Sequence, residues 1–162
     1  MGNPYADIVG PLITEPTRWT YVRDWVSPTL VRLNSPRRAA GRGIAIAIVD
    51  AGFYPHPDLL YPRCRVLGHY DFSVDGEPLD GRTDAGNWHG TMTAVIAAGN
   101  GYLSQGLYRG PAYLSNVLLL KAGEKLSIRP HAISKALKWI TEHKDEYNIR
   151  VVNISLGVGE EN

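Results

Sequence analysis

Ile44-Ala45-Ile46-Ala47-Ile48-Val49 is an unbroken apolar run that opens after Gly43 and ends on Asp50-Ala51-Gly52. A strand with one face in water alternates polar and apolar residues. A run with no polar residue at either parity needs cover on both faces. The run is too short for a buried helix and rich in isoleucine, so it predicts a strand inside a parallel sheet with helices on both sides. Leu114-Ser115-Asn116-Val117-Leu118-Leu119-Leu120 predicts another buried strand, and Val151-Val152-Asn153-Ile154-Ser155-Leu156 the last one, apolar on both faces as a central strand would be. Arg65-Val66-Leu67 leading to His69-Tyr70-Asp71-Phe72 predicts a weaker one. Between them, Thr91 to Ala98 predicts a small-residue helix ended by Gly99, followed by a glycine-rich loop. Pro130 opens a longer helix in which Ile133, Leu137 and Ile140 recur at helical spacing. Strand, helix, strand, helix, strand gives an α/β fold, a three-layer doubly wound parallel sheet with right-handed crossovers.

The chain's 162 residues suffice for one domain with a core. Residues 1–40 read as an irregular N-terminal extension punctuated by Pro4, Pro11, Pro16, Pro28 and Pro36. One short helix is expected at Ser27 to Leu33, with Ser27 as its cap and Pro28 in the first helical position. Arg37, Arg38 and Arg42 form a solvated loop cluster without interleaved aromatics. At 44% hydrophobic and 20% charged residues the chain is not intrinsically disordered. A net charge of +1 gives no global pull toward nucleic acid or an anionic membrane. Cys64 is the single cysteine, which excludes an internal disulfide and a cysteine-based zinc site. No apolar run reaches membrane-spanning length, and the N-terminus lacks a charged segment followed by an apolar one, so the expected compartment is the cytoplasm.

Ligands of open parallel sheets bind beyond the carboxyl ends of the strands. Asp50 stands there, directly after the first apolar strand, and His89 opens the small-residue helix between Trp88 and Gly90. A carboxylate and an imidazole so placed can act together, the acid holding one ring nitrogen while the other takes a proton from a nucleophile. On spacing alone, a capping aspartate and a surface histidine account for the pair better. His56, Asp58, His69, Asp71 and His89 offer nitrogen and oxygen ligands, but no pair has the i, i+4 spacing of a helical metal site, and no metal is expected. Gly41-Arg42-Gly43 precedes its strand, the wrong side for a dinucleotide loop. Trp139 and Ile140 read as core, and Cys64 as an ordinary thiol.

The words around Asp50 and His89 add a resemblance. Gly43 to Phe53, followed by His56-Pro57-Asp58-Leu59, resembles the aspartate motif of the subtilisin-like serine proteases. Tyr70-Asp71-Phe72 and Asp80, ahead of Trp88-His89-Gly90-Thr91, resemble that family's approach to its catalytic histidine. Gly110-Pro111-Ala112 is similar to a shortened form of its Gly-Val-Ala-Pro turn, and Val152-Asn153-Ile154-Ser155-Leu156-Gly157 to its substrate-binding strand. The four motifs occur in family order, and residues 41–162 are identified as the N-terminal part of a subtilisin-like catalytic domain.

The resemblance implies a serine endopeptidase using a Ser-His-Asp triad. Asp50 would orient His89, and His89 would act as general base and then general acid. Ser155, Leu156 and Gly157 would pair with the backbone of an extended peptide substrate. Ser155 lies within a strand, with neither an elbow nor a helix start, and is not expected to be the nucleophile. Met92 stands where the family usually has a second histidine, and the Gly99 to Gly106 stretch is similar to the plain connection of members without a calcium loop, so no cofactor is expected. The oxyanion asparagine and the Gly-Thr-Ser nucleophile motif do not occur in these 162 residues. A second polypeptide bearing both is therefore the expected partner, with neither nucleic acid nor membrane involved. The alternative is a catalytically inactive peptide-binding or interaction module that keeps the half-fold.

Overall fold

A computed structural model describes residues 28–36, 39–73, 87–124 and 127–156. The elements run α1 (Thr29–Arg32), β1 (Ala45–Asp50), α2 (Pro57–Leu60), β2 (Val66–Asp71), α3 (Asn87–Ala98), β3 (Asn116–Lys121), β4 (Gly123–Glu124), β5 (Ser127–Ile128), α4 (Pro130–His143) and β6 (Ile149–Ile154), with a 3₁₀ turn at Tyr102–Ser104. Four strands form one parallel sheet in the order β2-β3-β1-β6, and β4 and β5 make a small antiparallel pair.

Every residue of β1 is buried, and its two parities serve two cores. Ile46 and Ile48 pack with Val117, Leu119 and Val66, beneath Ala94 and Ala98 of α3 and Leu59 and Leu60 of α2. Ala45, Ala47 and Val49 pack with Leu118 and Leu120 against Ala132, Ala136 and Ile140 of α4. Helices on both faces are what the unbroken apolar run requires. Fully burying a side chain the size of Ile48 is worth about 1.5–3 kcal/mol. Trp139 is half-buried beside α4's core face, its ring 4.5 Å from that of Tyr70 and stacked on His143 at 4.2 Å.

Several boundaries differ from the sequence reading. Pro28 is the N-cap of α1, in extended backbone at ψ 140, so its carbonyl and not its ring opens the helix; the expected Ser27 cap lies outside the described residues. The third helix begins at Asn87, a full turn before Thr91, which puts His89 inside its first turn. The last strand begins at Ile149 and ends at Ile154, because Ile149 pairs with Ala45 at a register shift before the regular ladder from Ile46 to Val151. The strand was expected to be apolar on both faces, and Val151, Val152 and Ile154 do lie exposed on it. Among the described residues β6 pairs with β1 alone and forms a sheet edge.

Candidate active site

Asp50 is the last residue of β1, in register with Lys121 of β3, at the carboxyl end of the sheet. Its side chain is fully buried and its oxygens divide the work. Oδ1 accepts from the Ala51 N–H at 2.7 Å and from His89 Nδ1 at 2.8 Å. Oδ2 accepts from the Thr93 hydroxyl at 3.1 Å. The His89 side chain is 33% exposed against 0% for Asp50, so the pair runs from the interior to the surface. Opposite a carboxylate oxygen Nδ1 donates, which leaves the Nε2 lone pair of the neutral ring as a base. The Trp88 ring meets that of His89 edge-on at 5.4 Å.

Small residues let α3 reach the end of β1. A Cβ on Gly90 would run into the Gly52 carbonyl and crowd the Phe53 ring and the Asp50 Cβ, and one on Gly52 would run into the Asn87 amide. Thr91 fastens the same junction: its hydroxyl donates to the Asn87 carbonyl at 2.7 Å and accepts the Tyr54 N–H at 2.6 Å. Backbone closeness and these bonds set the reach from Asp50 to His89.

A second buried pair lies one strand over. Lys121 Nζ is 3.0 Å from Asp71 Oδ2, while the Ser73 N–H and hydroxyl both donate to Asp71 Oδ1. Burial pushes the Asp71 carboxyl up, but the Ser73 and Lys121 bonds outweigh it and hold the group below its ordinary range. The other ligand-type residues are occupied locally. His56 Nδ1 accepts the Asp58 N–H at 3.2 Å as the N-cap of α2, and burial lowers its proton affinity despite Asp58 nearby. His69 packs edge-on against Phe53. Among the described residues no three histidine, cysteine or acidic side chains gather as a metal site.

Ser155 and Leu156 follow β6, half-buried. The expectation that Ser155 lies within the strand is corrected: the ladder's last pair is Val49 with Ile154, so Ser155 begins the segment beyond it, next to the level of Asp50. Its hydroxyl accepts from Asn153 Nδ2 at 2.8 Å, and Leu156 packs toward the α4 side of the sheet. Gly157 and Asp80 lie outside the described residues. Sequence reasoning singled out Asp50 and His89, which the structure brings together, but not Thr93, whose signal was its place one helical turn after His89. It also missed the row Trp88, Met92 and Ile96, which recurs every fourth residue along α3 and is 54%, 41% and 59% exposed.

An acid-held histidine at the carboxyl end of a parallel, helix-covered sheet defines an α/β protein with the charge arrangement of acid–base hydrolases. The particular family follows from comparison: the chain belongs to the subtilase family, peptidase S8, which it matches over residues 41–162. It is 34% identical over 122 residues to the serine protease AprX of Bacillus subtilis, an alignment covering 72% of this chain and 26% of that protein. It is also 34% identical over 122 residues to subtilisin Savinase of Lederbergia lenta, covering 75% of this chain and 40% of that protein. The chain thus spans well under half the length of these relatives. The CspB protease of Clostridium perfringens shares the fold at a TM-score of 0.66 and 24% identity, over 84% of this chain and 33% of that structure.

Proposed function

We propose that this chain supplies the aspartate and histidine of a Ser-His-Asp serine endopeptidase, and that polypeptide outside these 162 residues supplies the serine and the oxyanion asparagine. The observation that carries the reading is the 2.8 Å bond from His89 Nδ1 to a fully buried Asp50, in a member of the subtilase family. With Nδ1 held, Nε2 takes the proton of the serine hydroxyl as the oxygen attacks the scissile carbonyl. The imidazolium so formed lies against the Asp50 carboxylate, then returns the proton to the leaving amine. Ser155, Leu156 and Gly157 lie along an extended substrate, offering backbone hydrogen bonds that accept many side chains.

Two surfaces support the second polypeptide. Among the described residues β6 is a sheet edge whose Val151, Val152 and Ile154 are exposed, and α3 carries the exposed row Trp88, Met92 and Ile96. Apolar area of this kind around a sheet edge is characteristic of a surface that is covered in the working molecule. The test is hydrolysis of a peptide substrate by the assembled protein. His89→Ala is expected to remove most activity, and Asp50→Asn to lower turnover on the order of 10⁴-fold, the loss found for a chymotrypsin-type triad aspartate. Near-wild-type turnover in both variants would end the reading.

A further inference from the structure

The acid–base scheme leaves one group at the site unused, the Thr93 hydroxyl. Thr93 sits on α3 one turn after His89, with Oγ1 3.1 Å from Asp50 Oδ2 and 2.9 Å from the Gly90 carbonyl. A hydroxyl has one proton, so the two acceptors compete for it. The carboxylate is the stronger: a bond to an ionised acceptor is roughly twice as strong as a neutral one. Burial of Asp50 strengthens it further by excluding water. The Gly90 carbonyl, inside a helix, has the backbone ladder as its alternative.

The geometry gives this bond a role. Both donors to Oδ1, Ala51 N–H and His89 Nδ1–H, meet one oxygen, and the terminal torsion of an aspartate is broad and roughly two-fold. Among the described residues Thr93 is the donor that reaches Oδ2. We infer that Thr93 is a positioning residue: its hydroxyl anchors Asp50 Oδ2 and fixes the carboxylate plane so that Oδ1 stays aligned with His89 Nδ1. Because Thr93 and His89 share one helix, a movement of α3 carries the histidine and the clamp together. The catalytic consequence rests on the function proposed above; the positioning itself does not.

The experiment uses the assembled protein with this chain ¹⁵N-labelled, and follows the His89 Nδ1–H proton by NMR beside peptide hydrolysis. Thr93→Val removes the hydroxyl at similar shape, and Thr93→Ser keeps it. In Thr93→Val the Nδ1–H is expected to exchange with water about tenfold faster, and kcat to fall about tenfold at unchanged KM, in line with loss of one hydrogen bond to a charged group. Thr93→Ser is expected to restore both. An unchanged Nδ1–H exchange rate in Thr93→Val would overturn the inference and put the hydroxyl proton on Gly90. So would a failure of Thr93→Ser to rescue, which would reduce Thr93 to packing. If the wild-type assembly hydrolyses no peptide, the proposed function fails while the Nδ1–H signal still decides the role of Thr93.

Discussion

Gly90 carries more of the site than its size suggests. With no side chain it lets the first turn of α3 touch Gly52, Phe53 and Asp50, and the neighbouring His89 reaches Asp50 as a result. Gly90→Ala forces a methyl into the Gly52 carbonyl, so α3 has to retreat. The expected cost is about 1–3 kcal/mol of stability, typical of overpacking, read by urea denaturation. Turnover is expected to fall with it as the 2.8 Å bond lengthens. A variant as stable and as active as wild type would show that the close approach is dispensable. At this scale Asp50 and His89 were legible because each stands at a strand or helix end inside a distinctive run of residues. Thr93 and Thr91 were not, because their partners Asp50 and Tyr54 meet them only once α3 has a fixed phase against β1.

Among the elements, β2 is tied to β3 by charge as well as by its ladder. Asp71 and Lys121 are register partners, and their side chains form the buried pair. Lys121→Met strands the Asp71 carboxylate in the interior and is expected to cost about 3 kcal/mol or more, measured by thermal or urea melts at neutral pH. Loss of well under 1 kcal/mol would place the pair among the weak ones. Acidification is expected to act in two stages. His56 is held below its ordinary value of 6.5, so its contribution is present above that pH and fades as pH falls below it and the α2 cap protonates. Asp71 is held below its ordinary 3.8, so its contribution persists through mild acid and is lost as pH drops below that value. A wild-type stability curve flat from pH 7 to pH 3 would contradict both assignments. The strands that were easy to read, β1 and β3, owe that to burial on both faces. The start of α3 was hidden because Asn87, Trp88, His89 and Gly90 have no apolar period, and long-range contacts with Asp50, Gly52 and Tyr54 rather than propensity hold that turn. Arg150 obscured the start of β6 by interrupting its apolar run.

For the whole molecule, the function proposed above makes β6, which among the described residues pairs with β1 alone, and the exposed row on α3 part of a core shared with other polypeptide. The isolated chain is expected to be insoluble or to lack fixed side-chain packing, and to hydrolyse no peptide. The interface with its complement is expected to bury more than about 2,000 Å², as permanent complexes do. Near-ultraviolet circular dichroism and size-exclusion chromatography read the first point, and a well-packed monomer with a cooperative melt would argue against a shared core. The exposed apolar strand was legible as a sequence pattern, but the row on α3 was not, since an apolar residue every fourth position reads equally well as an inward face. The most direct test of the division of labour is labelling of the assembled protein with a fluorophosphonate, which reacts with an activated serine, followed by mass spectrometry of the modified peptide. The expected result is one labelled serine outside these 162 residues, with labelling lost in His89→Ala. Label on Ser155 or any other serine of this chain, or labelling of His89→Ala at the wild-type rate, would contradict the assignment of Asp50 and His89 as two thirds of a triad.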